Sequence, residues 1–108
     1  MSLENKPSLN YKLIMQWDIA PEREQEYFEF VVREFIPGVQ KLGFELTDAW
    51  ATIYGSQRQI MVGATLPTLQ RIQEVLNSSE WQSLNNQLQD FVQNYEQKVV
   101  EAQGGFQF

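Results

Sequence analysis

The amino-acid sequence predicts one α+β domain whose elements follow the order β-α-β-β-α(α)-β. Three observations carry this prediction. Large apolar residues alternate with other residues in the strand-like stretches, which is the two-residue period of a β-strand. Between these stretches, apolar residues recur every three or four positions, as on one face of a helix. The pair Gly55-Ser56 separates two strand-like stretches, as expected of a hairpin turn.

The first strand and the first helix are predicted from residues 11–18 and from the segment that Pro21 opens. Proline fits the first turn of a helix, where its missing N–H costs nothing. The pair Pro37-Gly38 predicts the end of this helix, because proline restricts the residue before it and glycine accepts a left-handed conformation. One strand face carries Tyr11, Leu13, Met15 and Trp17, and the apolar stripe of the helix is Tyr27, Phe28, Val31 and Phe35.

The hairpin consists of a longer strand over residues 44–54 and a second strand over residues 58–65. Simple alternation divides the longer strand into two faces. One face is predicted to carry Phe44, Leu46, Trp50, Thr52 and Tyr54, and the other Thr47, Ala49, Ala51 and Ile53.

The second half of the chain is predicted to contain a short helix after Pro67, a longer helix and a final strand. Ser79 followed by Gln82 has the spacing of a capping box, which starts the longer helix. Its apolar stripe is predicted to be Trp81, Leu84, Leu88, Phe91, Val92 and Tyr95. The final strand is expected from Gln97 or Lys98 to Ala102.

The element order is that of the split βαβ or ferredoxin-like arrangement, with a four-stranded antiparallel sheet. Residues 11–103 form the predicted domain, residues 1–10 a disordered N-terminal segment, and residues 104–108 a C-terminal arm with two phenylalanines. Helices on one face of such a sheet leave the other face bare. That face includes apolar residues, so we expect a second copy of the chain to cover it.

Charge and composition exclude several classes of function. The formal net charge is −6 and no basic cluster occurs, so no nucleic-acid partner is expected. No apolar run approaches the roughly 18 to 20 residues of a membrane span, and residues 1–10 lack the apolar centre of a secretory signal. The chain has no cysteine and no histidine, which excludes disulfides, thiol nucleophiles, imidazole bases and histidine-ligated haem. We expect a cytoplasmic protein with no cofactor and no metal.

The opening strand YKLIMQWDI running into Pro21-Glu22-Arg23-Glu24, and the stretch Ser78 to Leu88 before the final strand, carry a resemblance to a known superfamily. The chain resembles the dimeric α+β barrel superfamily over residues 11–102. That superfamily includes antibiotic-biosynthesis-type monooxygenases, stress-responsive barrel proteins and members without assigned activity. The resemblance implies that two sheets pack face to face in a homodimer. Its haem-degrading members bind iron through histidine, which this chain lacks.

The candidate ligand site is an aromatic pocket bordered by Trp17, Trp50 and Tyr54, with Arg33 or Gln16 as its polar anchor. Aromatic walls with one or two hydrogen-bonding groups suit a small aromatic ligand. The alternative is that the aromatic residues are ordinary core and that Arg33 pairs with a surface glutamate. No residue is singled out as catalytic. Neither a glycine-rich phosphate-binding loop nor a serine triad can be found in the sequence.

Two hypotheses for the function follow. We favour a non-catalytic dimeric barrel that binds a small apolar or aromatic ligand or acts structurally, because the usual catalytic side chains are missing. The alternative is a cofactor-independent monooxygenase or isomerase acting on an aromatic or polyketide-like substrate that supplies the reactivity itself. A deep cavity with polar groups would favour the enzyme, and a filled interior would favour the structural protein.

Overall fold

The computed structural model describes residues 10–54 and 57–102, and the structural statements that follow refer to these residues. The four strands are β1 (Asn10–Ile19), β2 (Glu45–Tyr54), β3 (Gln57–Leu66) and β4 (Val92–Ala102). The helices are α1 (Glu24–Phe30), a π-helix (Val31–Phe35), α2 (Ile36–Lys41), α3 (Leu69–Leu76) and α4 (Ser79–Gln89). This is the predicted order of elements.

The sheet has the strand order β2-β3-β1-β4, and every neighbouring pair is antiparallel. The predicted α+β class and ferredoxin-like arrangement are therefore confirmed. On the helix face of the sheet, Leu13, Met15 and Trp17 of the central strand β1 are buried at 0, 0 and 1% exposure. Among the described residues, no helix packs on the opposite face, which we call the open face.

The first helical segment differs from its prediction at both ends. It begins at Glu24 rather than at Pro21, because Glu22 has a φ of 66°, which a right-handed helix cannot include. The segment also continues past Pro37 to Lys41. The N–H of Ile36 bonds to the carbonyl of Val31, five residues earlier, so the turn before the proline is wider than an α-turn. The wider turn relieves the clash that ends a regular helix.

Gly38 does not end the helix either; its role is close packing. A Cβ atom at Gly38 would lie 2.8 Å from Cδ2 of Leu84 on α4, so α2 and α4 pack closely at this glycine. The left-handed residue that terminates α2 is instead Gly43, with a φ of 103°.

A β-bulge at Thr47 changes the predicted faces of β2. Leu46 pairs with Ala64 and Asp48 pairs with Gly63, so one extra residue stands between consecutive pairs. The extra residue reverses the alternation. Ala49 and Ala51 therefore share the helix face with Leu46, whereas Trp50 and Thr52 lie on the open face. The prediction that Trp50 shares a face with Phe44 and Leu46 was wrong.

The C-terminal half has a shorter helix and a longer strand than predicted. The cap of α4 is Ser78, whose side chain accepts a hydrogen bond from the N–H of Trp81, and not Ser79. The helix stripe ends at the fully buried Leu88. Phe91, Val92 and Tyr95 do not continue it: Val92 and Tyr95 belong to β4, and Phe91 precedes this strand.

The left-handed Asn94, with a φ of 57°, explains why β4 looked helical in the sequence. It lies where the register between β1 and β4 shifts. Because of this shift, Val92 and Tyr95 are both on the helix face of the sheet although they are three residues apart, which is a helix-like spacing.

Several predictions fall outside the described residues. These are the turn at Gly55-Ser56 and the C-terminal arm over residues 104–108. The predicted disordered segment over residues 1–10 also lies outside them, except for Asn10, which opens β1. Within the described ranges, the helices are too short or too polar to span a membrane.

Candidate functional site

A cavity of about 250 Å³ lies between the first helical segment and the β2–β3 half of the sheet. It exists because the helix face of β2 carries the small residues Ala49 and Ala51 opposite Ile60 and Val62 of β3. Both alanines are solvent-exposed, so the cavity opens to solvent along the edge strand β2. The walls consist of Trp17, Tyr27, Phe28, Val31, Phe35, Ile36, Val39, Leu46, Asp48, Ala49, Trp50, Ala51, Ile60 and Val62. We call this space the helix–sheet cavity.

A buried hydrogen bond crosses the cavity wall from strand to helix. Nε1 of Trp17 donates to the hydroxyl oxygen of Tyr27 at 2.9 Å, and both residues are almost completely buried. The Trp17 ring also meets Phe35 edge-on at 5.9 Å and stacks on Tyr95 at 5.9 Å. These contacts hold the indole, and through it the phenol, in one orientation.

Two tyrosines of the helix face, the buried Tyr27 and the half-buried Tyr95, differ in how they use their hydroxyl groups. The Tyr95 hydroxyl accepts a hydrogen bond from Asn85 at 2.9 Å and donates one to Oε1 of Gln97 at 2.7 Å. The Tyr27 hydroxyl accepts from Trp17, and no acceptor for its own proton is found among the described residues. Burial raises the pKa of both tyrosines to about 12, so both are neutral phenols at physiological pH.

Asp48 is among the residues that line the cavity, but its side chain lies on the open face, where an ion pair holds it. Its Oδ2 lies 2.7 Å from Nζ of Lys12, which reaches from β1 across β3. Gly63 makes this possible, because a Cβ there would lie 2.8 Å from Oδ2 of Asp48 and 3.3 Å from Cδ of Lys12. The hydrogen bond from Lys12 lowers the pKa of Asp48 from its ordinary value of 3.8.

The predicted site residues do not form one cluster. The Trp17 side chain lies in the wall of the helix–sheet cavity, whereas Gln16 and Trp50 both pair with Met61 on the open face. Trp50 also borders the cavity, between Ala49 and Ala51, but its side chain is 54% exposed. Arg33 is exposed on the π-helix and is not among the cavity residues. The side chain of Tyr54 lies outside the described part of the chain.

The open face has a groove of its own, of about 460 Å³, which both Gln16 and Trp50 line. Its other lining residues are Ile14, Met61, Lys98, Val100 and Glu101. A further groove of about 500 Å³ between α2 and α4 is lined largely by the polar residues Lys41, Ser79, Glu80, Ser83 and Gln87, and it has no buried hydrogen-bonding pair like that of Trp17 and Tyr27. The helix–sheet cavity is therefore the best candidate for a ligand site.

Sequence reasoning missed Tyr27 as a site residue, because its position in the helical stripe marks it only as core. It also missed Ala49 and Ala51, since undisturbed alternation assigns them to the wrong face. A bulge after Leu46 leaves no clear mark in the sequence, so the signal for the cavity is visible only in the fold. Within the described residues, no group of three metal-ligating side chains is found.

Comparison with known proteins gives matches of fold. No protein-family profile matches the chain, and no curated protein matches it by sequence. A NIPSNAP family protein of unknown function from Agrobacterium tumefaciens superposes with a TM-score of 0.63 at 17% identity, with 92% of each chain covered. A candidate antibiotic biosynthesis monooxygenase from Nitrosomonas europaea gives a TM-score of 0.66 at 8% identity, over 93% of this chain and 95% of that one.

An ethd family protein from Bacillus halodurans gives a TM-score of 0.64 at 20% identity, covering 86% of this chain and 98% of that one. At these identities the likeness is one of fold. The neighbours confirm, at the level of the ferredoxin-like α+β fold, the resemblance to antibiotic-biosynthesis-type monooxygenases and to proteins without assigned activity.

Proposed function

We propose that this protein binds a small apolar or aromatic ligand in the helix–sheet cavity, without catalysis. The observation that carries the proposal is the cavity itself, about 250 Å³ of space with aromatic and aliphatic walls beside one buried hydrogen-bonded pair. A dry cavity of about 150 Å³ can hold benzene, and drug-sized ligands occupy about 300 Å³ or more. The expected ligand is therefore a substituted benzene or a small bicyclic molecule.

The titratable groups of the cavity favour binding over catalysis. Two of its described lining residues have titratable side chains, Tyr27 and Asp48, and the carboxylate of Asp48 lies on the open face. The pKa of Tyr27 is raised to about 12, and that of Asp48 is lowered by the hydrogen bond from Lys12. An effective general acid or base has a pKa near the working pH, and these two pKa values are shifted away from neutrality in opposite directions.

The proposal includes a homodimer formed through the open face, in a cytoplasmic protein. The central part of that face is apolar, with Ile14, Met61, Trp50 and Val100 around one groove. Lys98 and Glu96, which pair with Ile14 and Gln16 of β1, offer charges of both signs to a symmetric partner. In a two-fold interface each patch meets its own copy, so such a surface can be self-complementary. The 54% exposure of Trp50 supports this arrangement.

The second candidate is a cofactor-independent monooxygenase or isomerase on an aromatic substrate. It is supported by the apolar cavity and by the fold neighbour described as a candidate antibiotic biosynthesis monooxygenase. In that case the substrate would carry the reactivity and the cavity would only hold it. Consumption of a bound aromatic compound, followed by chromatography, would favour this reading over simple binding.

A cavity-filling variant tests the binding proposal. Ala49→Leu adds a branched side chain to the cavity wall, and Gln82→Leu makes the same kind of change at an exposed position of α4 outside it. Indane and naphthalene serve as probes, with binding followed by tryptophan fluorescence and by the shift in melting temperature. We expect the natural sequence and Gln82→Leu to bind, and Ala49→Leu to lose binding while staying folded. Equal binding by all three proteins would contradict the proposal.

A further inference from the structure

We propose that the Tyr27 hydroxyl is the hydrogen-bond donor that anchors a neutral acceptor oxygen of the ligand, such as a ketone, aldehyde or quinone carbonyl. This inference rests on the proposed function and names the class of ligand that the helix–sheet cavity selects. It follows from the unused proton of one buried hydroxyl group, from the charge around the cavity and from the protonation state of the phenol.

The direction of the Trp17–Tyr27 hydrogen bond is fixed by chemistry. An indole N–H can only donate, so the Tyr27 oxygen must be the acceptor at 2.9 Å. The phenol proton is then directed elsewhere, and within the described residues it meets no acceptor, in contrast to that of Tyr95, which donates to Gln97. A buried O–H donor without an acceptor is unfavourable, and a ligand that supplies an oxygen removes the penalty.

The charge around the cavity makes the ligand neutral. No lysine or arginine is among the described lining residues, and the carboxylate of Asp48 lies on the open face, where it pairs with Lys12. A carboxylate ligand would lose its hydration without finding a cation in the wall. A carbonyl oxygen accepts a hydrogen bond at a far smaller cost of desolvation. Neutral carbonyl compounds therefore fit the site better than aromatic acids.

The donor is present throughout the physiological pH range. Burial raises the pKa of Tyr27 to about 12, so the hydroxyl keeps its proton. Trp17 strengthens the donor as well, because a hydroxyl that accepts one hydrogen bond becomes a better donor in the next. The strand and the helix together thus present one polarised O–H group in an otherwise apolar wall.

Two matched ligands test the inference. Indane and indanone share one bicyclic skeleton and differ by a carbonyl group. Binding to the natural sequence is measured by isothermal titration, and we expect indanone to bind roughly three- to tenfold more tightly, the contribution of one neutral hydrogen bond. If indane binds and indanone has no advantage, this inference is overturned and the proposed function stands. If neither compound binds, both fall together.

Two variants assign the preference to the Tyr27 hydroxyl. Trp17→Phe removes the indole donor and keeps the phenol, and Trp17→Phe/Tyr27→Phe removes both, so the two proteins differ by one hydroxyl group. We expect the preference for indanone in the first and equal binding of the two ligands in the second. A preference that survives in the double variant would overturn the assignment. Both proteins carry Trp17→Phe because the indole N–H of Trp17 could otherwise donate to the ligand in place of the lost Tyr27 hydroxyl.

Infrared spectroscopy provides a measurement that needs no variant. A hydrogen bond to a carbonyl oxygen lowers its stretching frequency, so isotope-labelled indanone bound to the natural sequence is expected to absorb below its frequency in a dry hydrocarbon solvent. A bound carbonyl that absorbs at the hydrocarbon frequency would overturn the inference even if the substituted proteins fail to fold.

Discussion

At the scale of single residues, the most unusual feature is a charged pair on the open face of the sheet. Lys12 is 6% exposed, although lysine is seldom buried, and its ammonium group lies 2.7 Å from Asp48 two strands away. Gly63 on the intervening strand leaves the room that this contact requires. Glycine weakens a strand on its own, so here the missing side chain serves the ion pair above it.

Asp48→Asn should destabilise the protein in a way that depends on pH. Removing the anion leaves the nearly buried ammonium of Lys12 without this partner, and we expect a loss of about 1 to 3 kcal/mol in the free energy of unfolding at neutral pH. The folded pKa of Asp48 lies below 3.8, so its contribution is present above that pH and is lost as the pH falls through the folded value.

Urea unfolding at pH values from neutral to strongly acidic measures this difference. The gap between the natural sequence and Asp48→Asn should close as the pH falls below about 3.8. Glu45→Gln, at an exposed position of the same strand, is the control and should change stability by less than about 0.5 kcal/mol. A gap that stays constant with pH would show that the charge of Asp48 is not what stabilises the fold.

At the scale of elements, most of the fold could be predicted from periodicity and turn residues. The period of β1 and the start of α3 follow from local preferences. The predicted helical stripe holds for the buried Tyr27 and Phe35, whereas its member Phe28 is 45% exposed and Phe30 is buried instead. The errors arise where a single residue changes the phase of a pattern: the bulge at Thr47 and the left-handed Asn94. Such irregularities depend on how strands pair in three dimensions, and a linear pattern does not record them.

The end of the first helical segment likewise depends on contacts that a linear pattern does not record. Pro37-Gly38 has the composition of a helix end, yet the π-turn accepts the proline, and Leu84 on another helix needs the glycine. The candidate site was predicted only in its aromatic character and in Trp17. The cavity exists because Ala49 and Ala51 lie on the helix face of the sheet. Its polar group, the Tyr27 hydroxyl on α1, is held by a hydrogen bond from Trp17 on β1.

The cap of α4 gives a prediction at this scale. Ser78→Ala should lower the free energy of unfolding by about 0.5 to 2 kcal/mol, because it removes the acceptor for the N–H of Trp81. Ser79→Ala is the matched control on the neighbouring exposed serine and should be nearly neutral. Chemical denaturation of both variants measures the difference. If Ser79→Ala destabilised the protein more than Ser78→Ala, the N-cap of α4 would be Ser79, as the capping-box spacing predicts.

At the scale of the whole molecule, the two faces of the sheet serve different purposes. The helix face contains the core and the cavity, and the open face carries exposed apolar groups around the Gln16, Met61 and Trp50 row. Dimerisation through the open face would bury Trp50 and leave the helix–sheet cavity on each subunit. Ligand binding and self-association are then separable properties, which makes each of them testable alone.

Trp50→Glu should therefore convert the proposed dimer into a monomer at micromolar concentration. Two glutamates brought together across a two-fold interface would be desolvated and would repel each other. Val32→Glu is the control, because Val32 is 64% exposed on the π-helix, away from the open face. Size exclusion with light scattering measures both. A natural sequence that is already monomeric at tens of micromolar, or dimers of equal stability in both variants, would contradict the interface.

Methyl NMR distinguishes a ligand in the helix–sheet cavity from one bound elsewhere on the protein. Titration of the isotope-labelled protein with indanone should shift the methyl resonances of Val39, Leu46 and Val62, which line the cavity. The methyl groups of Ile14 and Val100 in the open-face groove should stay in place. Shifts confined to Ile14 and Val100 would move the binding site to the open face and contradict the account.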